Sequence, residues 1–173
     1  MEKLFNQLTK ILLDNLHNGE QMKLNVNGEN SQFVRFSQSK VRQSGLVDDA
    51  SLSISLIKDG RTCNSSFTLT GNENIDTRSA FNELERMRTE IVTLPKDPFV
   101  VVPENTGSSR ENINGNLLNP DDVVSALSPA MSGVDLAGIW ASGRIFTGNA
   151  NSAGQKHWFA TDTYSLDYSL ITP

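Results

Sequence analysis

Cysteine and histidine are almost absent. The 173 residues hold one cysteine, Cys63, and two histidines, His17 and His157. A single cysteine excludes an intrachain disulfide framework and a cysteine-rich zinc site. Two isolated histidines, with neither HExxH nor HExxxH anywhere, exclude the usual helical ligand pair of a hydrolytic zinc. Positive charge is also short: 15 Lys and Arg stand against 20 Asp and Glu, a net charge of −5. A protein that binds by neutralising phosphates wants the opposite balance, so no direct nucleic-acid binding is expected. No run approaches the ~18 apolar residues of a membrane span, and the first eighteen residues lack the apolar core of a secretory signal. The expectation is a cytoplasmic chain without membrane contact.

What the sequence does contain is periodicity. Leu4, Phe5, Leu8, Ile11, Leu12 and Leu16 fall at helical steps, and Asn18-Gly19 supplies a stop. From Gln21 the period changes to two: Met22, Leu24 and Val26, then Val34 and Phe36, then Leu52, Ile54 and Leu56 alternate with polar partners. Such alternation points to a sheet with one buried face and antiparallel neighbours. Asn27-Gly28, Asp48-Asp49 and Asp59-Gly60 read as turns, the last being the strongest hairpin signal. A second helix is predicted over 76–94, ended by Pro95, followed by a short strand at 99–102. Residues 103–118 read as an exposed mobile loop. Asn119-Pro120-Asp121-Asp122 is a helix start, with Val123, Val124, Leu127 and Met131 as the buried side. Three strands follow, at about 136–146, 155–161 and 164–171.

The expected fold class is α+β: a largely antiparallel or mixed sheet of hairpins packed with about three helices. The chain reads as one domain over 1–173, with sub-regions 1–102 (helix, β-meander, helix), 103–118 (loop) and 119–173 (helix and three strands).

No catalytic constellation emerges, and no residue is assigned as catalytic or metal-binding. Cys63 lies in a strand with no neighbouring histidine and reads as a packed side chain. Arg35, Lys40, Arg42 and Arg61 could form a basic strip that contacts an anion or an acidic peptide; a solvated sheet face is the favoured explanation of them. Asn151, Ser152 and Gly154 read as a structural turn in which the side chains bond their own backbone and Gly154 takes positive φ.

Two segments carry a family resemblance. The first is Phe33-Val-Arg-Phe-Ser-Gln-Ser-Lys-Val-Arg-Gln-Ser44 with Lys58-Asp-Gly-Arg61. The second is Asp135-Leu-Ala-Gly-Ile-Trp-Ala-Ser-Gly143, Asn149-Ala-Asn-Ser-Ala-Gly154 and Trp158-Phe-Ala-Thr-Asp-Thr163. Together they resemble the TldD/PmbA family, known as modulators of DNA gyrase, over most of residues 30–171. The resemblance implies a zinc metallopeptidase acting on peptides, built as a dimer of two-domain chains. It places the HExxxH helix in a C-terminal catalytic domain that this chain does not contain. Zinc is thus implied for the full-length architecture and no cofactor for this chain, which is expected to be inactive alone. The implied partners are a peptide substrate and a second protomer, identical or paralogous. The alternative is a stand-alone peptide- or protein-binding module, or an inactive partner subunit.

Overall fold

A computed structural model of the chain describes residues 1–171. The elements run α1 (Glu2–Asp14), β1 (Gln21–Ser37), β2 (Lys40–Lys58), β3 (Arg61–Thr68), α2 (Glu73–Ile91), β4 (Ser108–Ile113), α3 (Val123–Leu127), β5 (Asp135–Asn151) and β6 (Lys156–Ile171). Short 3-10 turns, Pro120–Asp122 and Ser128–Met131, flank α3. The sheet has six strands in the order β3-β2-β1-β5-β6-β4. β2 and β3 pair antiparallel, Leu56 opposite Cys63 and Leu52 opposite Phe67. β4 runs in the same direction as β6, since Ser108 bonds Lys156 and Ser109 bonds His157. The fold is therefore α+β with a mixed, mainly antiparallel sheet, as the alternation predicts.

Contacts group the chain into two compact units. The first comprises Met1–Gly28, Asp49–Glu111 and Phe146–Phe159; the second comprises Glu29–Asp48, Asn112–Ile145 and residues 160–171. The sequential sub-regions read from the sequence do not match these groupings, because β1, β2, β5 and β6 each supply residues to both units.

In the first unit, Leu4, Phe5, Leu8 and Leu12 of α1 and Ala80, Leu84, Met87 and Ile91 of α2 are buried. With Met22, Leu24 and Val26 of β1 and Leu52, Ile54 and Leu56 of β2 they form its core. Trp158 stacks on Phe146 at 5.5 Å and tilts against Phe5 at 6.3 Å. The start of α2 is built by side chains. Asn72 Oδ1 accepts from the amides of Asn74 and Ile75. The buried Asp76 carboxylate accepts from the amides of Thr70 and Gly71 and from Thr70 Oγ1. These bonds satisfy helix-start and loop amides that have no partner within the helix, and they supply donors to the buried Asp76 carboxylate. Asn72 also moves the start of α2 three residues ahead of the predicted position.

A buried ionic cluster lies in the same unit. The Glu20 side chain is 1% exposed and accepts two bonds from Arg88 Nε, at 3.1 and 3.2 Å, and one from Nη2 at 2.8 Å. Lys58 Nζ stands 3.5 Å away, and the His17 amide donates at 2.9 Å. Arg88 Nη2 also donates to the Asn15 carbonyl at the end of α1, so one guanidinium ties α2 to the α1–β1 connection.

The second unit has its own small core of Val34, Phe36, Val123, Met131, Leu136 and Trp140. Its hairpin turns at Gln38 and Ser39, both at φ 53°. Neither residue is glycine or asparagine, so no turn signal marks them. The conformation is held from outside: Ser39 Oγ donates to the Val134 carbonyl and accepts from the Leu136 amide, and the Ser39 amide donates to the Leu136 carbonyl.

Several expectations are corrected here. Asn27-Gly28 and Asp48-Asp49 are not turns but lie inside β1 and β2. Gly28 is there for room: a Cβ would stand 2.4 Å from the Asp49 carbonyl oxygen and 2.4 Å from the Phe146 ring. Asp59 and Gly60 do form the hairpin turn, both with positive φ as a type I′ turn requires. Residues 99–102 form no strand; Phe99 is 85% exposed, and prolines at 98 and 103 bracket the run. The stretch 103–118 contains β4, whose six residues are all exposed and so leave no alternation to read. Val124 is exposed rather than buried, and Pro129 ends the short α3 because it cannot donate to the helical ladder. The last two predicted strands are one continuous β6.

Candidate peptide-binding groove

The four basic residues singled out in the sequence fall in both units, Arg35, Lys40 and Arg42 in the second and Arg61 in the first. Arg35 is exposed on β1 between buried Val34 and Phe36, so it lies on the sheet face opposite the second unit's core. Arg42 folds onto its own hairpin, donating to the Ser37 carbonyl and to Gln38 Oε1. Lys40 is exposed at the start of β2. Arg61 belongs to the first unit, where its Nε donates to the Leu94 carbonyl at 2.8 Å beyond the end of α2. That bond ties the start of β3 to the segment that follows α2.

At the 151–155 turn, Asn151 Oδ1 accepts from the amides of Ala153 and Gln155, and the Gly154 amide donates to the Asn151 carbonyl. Gly154 has φ +94°. Ser152 bonds outward instead: its Oγ accepts from the Met22 amide and its own amide donates to the Met22 carbonyl, which fixes the turn against β1. Gly154→Ala is expected to cost about 1 kcal/mol, because an L side chain is strained at that φ. Urea unfolding checks it, and an unchanged midpoint contradicts it.

The feature that sequence reading missed is an apolar groove in the second unit. Two depressions, about 260 and 390 Å³, share Leu127 and Leu166 in their walls. Phe36, Leu136, Tyr168 and Leu170 complete one; Leu117, Trp140 and Tyr164 complete the other. Tyr164, Leu166, Tyr168 and Leu170 alternate along β6 and therefore share one face. They are all exposed, Tyr164 at 74%. The strand edge beside them is open. β4 is the only strand beyond β6 among the described residues, and its contacts end near Asp162, where the Gly115 amide bonds Asp162 Oδ2. Residues 163–171 are exposed throughout. The alternation was visible in the sequence; that no element covers it was not.

Among the described residues no three His, Cys, Asp or Glu side chains are grouped to hold a metal. Ser109 Oγ and His157 Nδ1 lie 2.7 Å apart on the exposed sheet. Cys63 is buried, and burial, followed by the neighbouring Glu90 charge, pushes its thiol pKa up, away from nucleophilic use. No helix among the described residues is long and apolar enough to cross a membrane.

Known proteins place this fold. No protein-family model matches the sequence, and no curated protein matches it. Solved structures do match. TldE from Thermococcus kodakarensis aligns with 98% of this chain at a TM-score of 0.74 and 15% identity. A proposed modulator of a DNA gyrase from Thermotoga maritima aligns with 99% at 0.69 and 15% identity. A proposed modulator of DNA gyrase from Bacteroides thetaiotaomicron aligns with 99% at 0.65 and 20% identity. The chain spans 40%, 39% and 41% of the Thermotoga, Thermococcus and Bacteroides chains. It has the fold of one part of these larger proteins, in agreement with the resemblance read from its motifs.

Proposed function

We propose that this chain is a non-catalytic domain of a TldD/PmbA-like peptide-processing protein, and that its second unit holds an extended peptide along the open edge of β6. The observation that carries the reading is the exposed row Tyr164, Leu166, Tyr168 and Leu170 beside an unpaired strand edge. Unpaired N–H and C=O groups in a row accept an added strand, and the alternating side chains beside them supply pockets. The fold shared with part of larger gyrase-modulator and TldE chains supports the domain role.

No hydrolytic step is assigned to these residues. The zinc chemistry implied by the family resemblance would be supplied by a catalytic domain carrying HExxxH, and this chain's part is to enclose the peptide and meet a second protomer. The proposed location is the cytoplasm. The second reading is a stand-alone binding module or an inactive partner subunit. The two are separated by peptide digestion with and without a zinc-bearing family partner.

Amide exchange with and without extended peptides tests the docking itself. Protection confined to 163–171 is the expected result. No protection at any peptide concentration, with concentration-dependent dimerisation instead, would leave a protomer-packing role only.

A further inference from the structure

We infer, resting on the peptide reading above, that the groove selects peptides with two large apolar side chains two residues apart and a basic rather than an acidic flank. The spacing follows from β6 itself. Groove-facing residues recur every second position, and the two depressions meet at Leu166. A strand repeats its side chains at about 6.6–6.8 Å per two residues. A peptide strand laid along the β6 edge has the same repeat, so its alternate side chains drop into the two depressions.

The lining excludes charge. Every groove residue is apolar, aromatic or, in Asn116, a neutral amide. A carboxylate or ammonium entering there would lose its hydration with no partner to replace it. The charge outside the lining sets the sign of the flank. Asp121 and Asp122 are exposed on the turn between Leu118, which lines the groove, and Val123 of the core, and neither has an ion-pair partner among the described residues. Of the four cations of the second unit, Lys40 is exposed where β2 leaves the hairpin turn, and the other three are turned away or occupied. Arg144 is paired with Asp162 at 2.8 Å, Arg42 is bonded to its hairpin, and Arg35 lies on the opposite face, where it borders a shallow depression with Asp167. The acidic peptide that a basic strip would attract is therefore the disfavoured ligand, and a lysine-flanked apolar one is favoured.

Three synthetic nine-residue peptides test this on the whole chain, with Trp140 fluorescence and amide exchange as readouts. The first carries Leu and Phe two residues apart between threonines, with Lys at both ends. The second replaces Leu and Phe by Ser, and the third replaces Lys by Glu. The first should bind about tenfold or more tighter than the second, the scale of burying one large apolar side chain. It should also bind several-fold tighter than the third, by a margin that shrinks as salt rises. Leu166→Asp, at an exposed position, should abolish the preference for the first over the second, and Tyr168→Ser should weaken it, with melting curves of both variants confirming folding. Equal binding of the first two peptides, with protection of 163–171, overturns the side-chain selection and leaves the strand-edge reading standing. Tight binding unaffected by Leu166→Asp also overturns the inference, since the site is then elsewhere. Binding of none of the three, with self-association of the chain, overturns both.

Discussion

Arg88→Ala is expected to destabilise the chain by about 3–5 kcal/mol at neutral pH, the range for breaking a buried ion pair from one side. The guanidinium is 13% exposed and Glu20 only 1%, so removing the arginine leaves a buried carboxylate with Lys58 at 3.5 Å and, when protonated, the His17 imidazole at 3.7 Å as its cationic side chains. It also strips the Asn15 carbonyl of its donor. The pH dependence separates this from lost packing. Burial raises the Glu20 pKa, but the Arg88 bonds and then the His17 amide outweigh it, so the group sits below the ordinary glutamate value. A carboxyl lowered on folding stabilises fully above the unfolded pKa, about 4.3, and that contribution is lost as pH falls through the folded value. In Arg88→Ala the lowering contact is gone while burial remains. The deficit of the variant should therefore be largest near pH 7 and shrink as pH falls through the higher folded value of Glu20 in the variant toward the lowered value it has beside Arg88. Urea unfolding of both proteins across pH 3–8 measures it. A deficit below about 1 kcal/mol, or one that does not change with pH, would count against the cluster as described.

Gly143→Ala is expected to cost about 2–3 kcal/mol by overpacking, or on the order of 5–10 °C in melting temperature for a chain of this size. A Cβ at that position would stand 2.3 Å from Ser31 Cα and 2.4 Å from the Asn30 carbonyl oxygen. Both are backbone atoms of β1, so no rotamer change relieves the overlap and the β1–β5 pairing must give. β1 and β5 carry Phe36, Leu136 and Trp140, which wall the groove, so peptide protection along β6 should weaken together with stability. Thermal melting and amide exchange on the same variant check both. An unchanged melting temperature would show that the strands separate freely there.

The helix α1, the buried faces of β1 and β2 and the Asp59-Gly60 turn were determined by local chemistry. Apolar residues at helical or alternate steps have one way to bury together, and a type I′ turn asks for residues that tolerate positive φ. The same holds for Asn72 and Asp76, whose side chains cap within a few residues of themselves. What lay beyond the sequence was each feature whose cause is distant in the chain. Gly28 looked like a turn residue because its real reason, the approach of Asp49 and Phe146, comes from other strands. Gln38 and Ser39 turn the chain without turn residues because Val134 and Leu136 hold them there. β4 pairs without a buried face, so no periodicity could reveal it. Arg61 shared its charge with Arg35 and Arg42, but its bond to the carbonyl of Leu94, far along the chain, could not be read from that charge. For the groove, Tyr164, Leu166, Tyr168 and Leu170 were legible as a strand with one apolar face. Periodicity states that a face wants cover; only the tertiary structure decides whether an element of the chain supplies it, and on β6 beyond Asp162 none of the described strands does.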